Sequence, residues 1–377
     1  MANQKHLEIL KSSIAQNNRC RAWNQWREEN PYEKIALQEA NLSQMDLQGA
    51  NLQESNLEGI QLQGANLHKA SLFKSLLNKA DLSEANLTGA RLSTASLRGA
   101  VLRGAKLNQA SLRESDFSAS KMSGADFSEC RMIKANLCRA TLSVAIFKNA
   151  DLTQANFNVA DISSANFEGA NLMQANLCAA DARGSEWLNA NLQGANLQGI
   201  NLQGAKLHSA NLQGVNLERS NLQKASFYLA NLSGANLKAV KAQWGKFPET
   251  NFREASLHES QFQEAKCQGA NFQKACLSKC YFQKALLAKV DFRGAIMQDI
   301  NLQDADLKSA HLGGADLRGA NMILADLSSA SFYSDSFGEA KHLTVDQLCQ
   351  VRCIQKIQGI PEDILRQITK KSPRLVT

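Results

Sequence analysis

Few side chains in this 377-residue sequence could do chemistry, and their spacing decides whether they meet. His68 and His208 could share a metal ion, Cys138 with Cys178 or Cys349 with Cys353 could form a redox or metal pair, and the row from Lys274 to Lys289 could hold phosphate. The usual signatures are missing. The nine cysteines form no CxxC pair and no Cys/His cluster at ligand spacing, which fits buried or idle thiols in a reducing cytosol. Whether any of these groups converge depends on the elements that carry them.

Those elements are set by a period of five. From Leu37 to Phe337 every position ending in 2 or 7 is Leu, Phe, Ile or Met, apart from Ala182, Trp187, Ala242 and Cys267, and positions ending in 0 or 5 are mostly Ala. Each small residue stands two before a large one, as Ala65 does before Leu67, which puts both on one face of an extended segment. The next small residue comes three later, so the chain must turn a corner within every five residues. A helix fails the same test: five residues advance the wheel by roughly 500°, and the Leu would spiral round every face. What remains is a solenoid of short extended sides, its turns about 4.8 Å apart and joined by parallel hydrogen bonds. Gly64, Gly89, Gly104 and Gly194 fall beside the corners, where positive φ is often needed. Asn, Asp or Ser before each Leu can bond nearby backbone, as in turns.

The units Ala195-Asn-Leu-Gln-Gly199, Ala80-Asp-Leu-Ser-Glu84 and Ala165-Asn-Phe-Glu-Gly169 resemble the pentapeptide-repeat family. That resemblance implies a right-handed quadrilateral parallel β-helix with four pentapeptides, or twenty residues, per coil. The charges agree with twenty: Glu254, Glu259 and Glu264 are followed at that lag by Lys274, Lys279 and Lys284, with Asp299 and Asp304 twenty beyond the last two, although Asp161/Asp181, Lys246/Lys266 and Asp306/Asp326 are like pairs. Residues 35–340 then form a little over fifteen coils, a rod roughly 70 Å long. On it His68 and His208 stand seven coils apart, about 34 Å, too far to share a metal. The Lys row, flanked by acidic rows, reads as a self-neutralising ladder.

An open stack needs caps. Residues 1–34 supply a helix around His6-Leu7-Glu8-Ile9-Leu10 with Ile14, then Trp23 and Trp26 three apart on one helix face, able to cover the first coil. This segment resembles the Trp-containing leader of cyanobacterial family members. Residues 341–377 are expected to form a second helical cap: Thr344-Val345-Asp346-Gln347 reads as a capping box ahead of Leu348, and Pro361 can open another helix. The whole is an all-β solenoid with helical caps at both ends.

Composition excludes more than it assigns. The net charge of +7 sits in the tails: the middle carries 29 Lys/Arg against 28 Asp/Glu, residues 1–34 six against four, and residues 341–377 seven against three. That excess is too small for a nucleic-acid arm or a membrane-binding segment. No apolar run approaches the roughly 18 residues needed to span a bilayer, and the start lacks a secretory signal, so a cytoplasmic protein is expected. A loopless solenoid offers flat sides and no concave pocket, so no catalytic, cofactor-binding or metal-binding residue is assigned and no enzyme is expected. Ala182 followed by Trp187, small then very large inside one coil, reads as compensated packing. The irregularity left over is outward: Tyr228, Leu229 and Pro248, with Trp244 on an adjoining side, form an apolar cluster suited to a protein partner, beside a low-charge belt over residues 188–217. The resulting expectation is a scaffold or regulatory protein binding another protein, its partner and oligomeric state open; family resemblance implies a modulator of cyanobacterial differentiation or signalling. The alternative, a DNA mimic that binds gyrase as quinolone-resistance members do, needs a strongly negative surface that 29 against 28 does not supply.

Overall fold

Each pentapeptide makes the same local move: a bridging residue, an inward large residue, a two-residue turn and an inward small residue. Leu52, Leu57 and Leu62 of the large row are buried, and so are Ala50, Ile60 and Ala65 of the small row, so both inward rows reach one core. The second turn residue lies in the left-handed region whatever its type: Gly64 has φ +62°, and so do, within a few degrees, Glu54 (56°), Val144 (55°) and Lys279 (58°). Its amide reaches the next coil, as Glu54 N–H donates to Phe73 O at 2.8 Å.

The computed structural model describes residues 2–15 and 20–375. They divide into two compact units, Met1–Asn191 and Leu192–Thr377. In the first, parallel bridges run from Ala36↔Asn56 to Asn171↔Asn191; in the second, from Asn196↔Asn216 onward, again twenty residues apart. A turn every five residues and a bridge every twenty give four sides per coil, which is the spacing read from the sequence. The residues before each Leu hold the coils together twice over. Asn156 Oδ1 accepts the Asn158 N–H at 3.1 Å within its own turn, while Asn156 Nδ2 donates to Asn136 Oδ1 one coil away at 3.1 Å. Such ladders satisfy amides that would otherwise face one another unpaired. Buried hydroxyls are satisfied too, as Ser75 Oγ donates to Leu72 O at 2.6 Å.

In the first unit α1 (Gln4–Ala15) and α2 (Arg21–Glu29) precede the coils. Trp23 is fully buried, but Trp26 is only half-buried: it packs on Trp23 at 5.4 Å and on His6 at 5.5 Å, so it braces α1 against α2. The second unit departs further from a purely helical end. A small hairpin, β1 (Tyr333–Ser334) with β2 (Gly338–Glu339), interrupts the period. Residues 341–358 then add one irregular coil, bridging Asp316↔Lys341, Asp326↔Cys353 and Ser331↔Gln358 at lags of 25 and 27. Into it is set α3 (Val345–Cys349), opened by the full Thr344/Gln347 capping box, with Leu348 and Ile354 turned inward. Only then comes α4 (Glu362–Lys371), which Pro361 opens from the N-cap position. Cys353 lies in the irregular coil, so it shares no helix with Cys349. The five-residue pattern was blind to this coil because its lag changes.

Left-handed corners strain residues with a Cβ by about 1–2 kcal/mol, most of all β-branched ones. Val144 is such a residue and is more than half exposed, so it loses little burial on removal. Val144→Gly should therefore stabilise the protein by about 0.5–1 kcal/mol after the glycine's extra unfolded-state entropy is subtracted. A urea titration followed by circular dichroism checks the sign; a loss would mean the corner is not strained.

Candidate protein-binding surface

The outward residues of one side in the second unit are a bridging residue, a first turn residue and a corner. Tyr228, Leu229 and Pro248 take the turn positions of two stacked coils. Tyr228 is 41 % exposed and Leu229 46 %, while Pro248 is half-buried and its carbonyl accepts the Leu229 N–H at 3.3 Å. Trp244, 49 % exposed with φ +58°, occupies the corner one side earlier. The structure thus joins three of the four residues directly and places the fourth on the adjoining corner.

Sequence reasoning missed one member. His208 meets the Tyr228 ring edge-on at 6.3 Å, and its Nε2 lies 2.8 Å from Ser226 Oγ. The lag of twenty between His208 and Tyr228 was the signal that could have found it. A Trp beside the small inward Ala242 could serve as a lid over that thin coil. That space is filled from inside instead: a Cβ on Gly245 would meet the Phe247 ring at 2.5 Å, and this ring stacks on Phe227 at 5.1 Å. Trp244 is left with no packing duty there. A half-exposed aromatic at a rigid turn is what a binding surface uses.

The other candidate groups stay apart. Glu254, Glu259 and Glu264 do lie one coil from Lys274, Lys279 and Lys284 at left-handed corners, yet no ion pair closes between the rows among the described residues. Glu254 pairs with Arg253 at 3.3 Å and Glu259 with His258 at 3.4 Å. Neighbours in sequence win because at exposed sites the pair gains little and proximity decides the geometry. Where a carboxylate is better sheltered the pairing has an effect: at Asp291, burial pushes the carboxyl up, but hydrogen bonds from Arg293 at 2.6 Å and Gln273 at 2.6 Å outweigh it and hold its pKa below the usual value. No group of three or more His, Cys, Asp or Glu that could hold a metal occurs among the described residues, and no helix there is long and apolar enough to cross a membrane. The clefts are surface features, such as two of about 480 Å³ on the outer face of α4 and beside α3.

The cysteines give a direct chemical check. Burial pushes the Cys130 thiol up to about 12, and burial with Asp46 nearby raises Cys20 to about 11; Cys267 and Cys280 are raised further by burial. A thiol reagent at neutral pH should leave these four unmodified in the native protein and react with them only after denaturation, while the partly exposed Cys138, Cys178, Cys276, Cys349 and Cys353 label first. Native labelling of Cys267, read by peptide mass, would contradict this core.

The family model for pentapeptide repeats, described as having 8 copies, matches overlapping segments over 36–158 and 200–334, and a second model, the pentapeptide repeat region, matches 140–217. These matches cover most of the sequence, and the chain belongs to the pentapeptide-repeat family. No curated protein matches it. Among solved structures, it is similar to HetL, a pentapeptide repeat protein involved in heterocyst differentiation regulation from the cyanobacterium Nostoc sp. strain PCC 7120, at 28 % identity, covering 70 % of this chain and 89 % of that one with a TM-score of 0.19. It is also similar to the plasmid-mediated fluoroquinolone resistance protein QnrB1, at 18 % identity, covering 58 % and 94 % with a TM-score of 0.36. A third is Rfr23 from the cyanobacterium Cyanothece 51142, at 21 % identity, covering 41 % and 86 % with a TM-score of 0.23.

Proposed function

We propose that this chain is a non-catalytic, cytoplasmic scaffold or regulatory protein, a right-handed quadrilateral β-helix that binds another protein through its flat sides, closed at its ends by residues 1–34 and 341–377. The observation that carries this reading is the exposure of Tyr228, Leu229 and Trp244 together on turn positions of the second unit. Aromatic groups on a rigid surface supply contact area at little entropic cost. The narrower reading, a modulator of cyanobacterial differentiation or signalling, rests on the resemblance to cyanobacterial members of the family. Gyrase mimicry has less support, since 29 cations against 28 anions in the middle of the chain give no strongly negative surface.

The test uses the full chain as bait in a lysate of its source organism. A specific protein should be captured, and Trp244→Ala with Tyr228→Ala should reduce its capture by about tenfold or more while the melting curve is unchanged. Undiminished capture by the double variant removes this surface from consideration. The purified protein should leave gyrase supercoiling unaffected; inhibition would restore the mimicry reading.

A further inference from the structure

The first unit carries a charge asymmetry that the whole-chain balance hides. Bridges Ser71↔Arg91, Arg91↔Ser111 and Ser111↔Arg131 stack one side of four successive coils, and Leu76↔Ser96, Ser96↔Asp116 and Asp116↔Asn136 stack the next. On these two adjoining sides, residues 71–79, 91–99, 111–119 and 131–139 hold eight Lys/Arg against two Asp/Glu. The other two sides of the same coils, residues 81–89, 101–109, 121–129 and 141–149, hold four against four. Glu114 pairs with Arg113 at 3.3 Å and Asp116 lies 3.6 Å from Arg98 Nε, so both acids are engaged with two of the eight cations, and the other six cations on these sides make no ion pair among the described residues. Of these six, Arg91, Arg131, Lys134 and Arg139 are exposed. At the edge of this face a cleft of about 330 Å³ opens between Arg98 and Arg139, lined also by Ser118, Asn136 and Asn156.

We propose that this two-sided basic face of the first unit docks a carboxylate-rich segment of a partner protein, with one carboxylate seated in the cleft between Arg98 and Arg139. Five of the eight cations are Arg, whose planar guanidinium grips a carboxylate with two parallel hydrogen bonds where Lys offers a point charge. Ser118 lines the same space, as do Asn136 and Asn156, whose amides are held in the ladder by Asn136 Nδ2 donating to Asp116 Oδ1 at 3.0 Å and Asn156 Nδ2 donating to Asn136 Oδ1 at 3.1 Å. The face is also interspersed with apolar groups, Leu76 exposed and Ile133 half-exposed, a mixture of Arg and apolar surface that suits a protein interface. Nucleic acid is the weaker fit. Single strands need open aromatic platforms for their bases, and the Phe73 ring is covered by Lys74 Nζ at 5.2 Å from its centroid. The proposal rests on the protein-binding reading but uses a surface separate from Tyr228 and Trp244.

The test measures binding of a fluorescein-labelled peptide of alternating glutamate and alanine to the full chain by anisotropy, beside an oligothymidylate of equal charge. Arg98→Glu with Arg139→Glu is compared with Arg103→Glu plus Lys121→Glu on the other two sides, so that the net charge changes equally. The expected result is saturable peptide binding, weakened about tenfold or more by the first pair and less than about twofold by the second. Arg98→Gln with Arg139→Gln, which adds no negative charge, should weaken it in the same direction; circular dichroism confirms that all variants fold. No peptide binding, equal losses from both pairs, or tighter binding of the oligothymidylate would each overturn the proposal. If peptide binding fails while Trp244-dependent capture persists, only this inference falls; if capture fails and the peptide still binds as expected, this one survives.

Discussion

Trp23→Ala is expected to destabilise the first unit by about 3–5 kcal/mol and to make it associate end to end. The first coil has no coil before it, so carbonyls that would each accept a backbone N–H face the open end. The side chains of α2 take the place of that missing coil. Trp23 Nε1 donates to Asn51 O at 2.9 Å, Asn24 Nδ2 to Gly49 O at 3.0 Å, and Arg27 Nη2 to Gln53 O at 3.0 Å, while Cys20 Sγ sits 3.8 Å from Asp46 O. Asn24 also accepts the Asn51 N–H at 2.8 Å. Trp23 combines this donation with complete burial, so its removal opens a cavity and orphans a carbonyl together. Trp23→Phe separates the two contributions: it keeps most of the apolar area and should cost about 1–3 kcal/mol for the unpaired carbonyl. Urea titration by circular dichroism reads the stability, and light scattering reads association. Losses below about 0.5 kcal/mol for both variants would mean that α2 does not close the stack.

The repeating part of this fold was legible because two inward rows at spacings of two and three admit one backbone solution. Leu67 and Ala65 reveal it as clearly as any later pair, and the corner at Gly64 follows from them. The lag of twenty was readable through Glu254 and Lys274, although these side chains proved to be stacked without being paired. What stayed hidden is what breaks the period. The coil of residues 341–358 lies at lags of 25 and 27 from its partners, so its inward Leu348 and Ile354 looked like residues of a helical cap. The donors of α2 were also illegible, because a Trp or Asn that replaces a backbone N–H has no sequence signature; only the apolar face of Trp23 could be seen. At the binding surface, Tyr228 and Pro248 announced themselves by type, and His208 joined them only through its place on the neighbouring coil.

Phe147→Ala should cost about 3–5 kcal/mol, with the damage confined to the coils around it. In the first unit the large inward residues at one column are aromatic for four coils running: Phe127, Phe147, Phe167 and Trp187 stack at 5.0, 4.8 and 4.0 Å, nearly parallel. Phe157 meets Phe147 edge-on at 5.8 Å from the opposite side of the coil. These spacings follow the step between coils, so rings one coil apart have to stack. Ala at position 147 would remove both stacked faces and the edge contact at once, and its neighbours cannot close the gap, because each is held at the coil spacing by backbone hydrogen bonds such as Phe127 N–H to Ile146 O at 2.7 Å and Phe147 N–H to Asn166 O at 2.7 Å. A cavity that cannot collapse has the full cost. Phe147→Leu, which keeps most of the volume, should lose only about 1–1.5 kcal/mol. Hydrogen exchange adds the decisive readout: in a solenoid each coil contacts only its neighbours, so the amides of residues 127, 147 and 167 should exchange faster in Phe147→Ala while those of Leu52 and Leu57 hold their native rates. Uniform acceleration through the first unit would show that its coils unfold as one cooperative block, and the aromatic column would then be contributing to the whole unit instead of to its own coils.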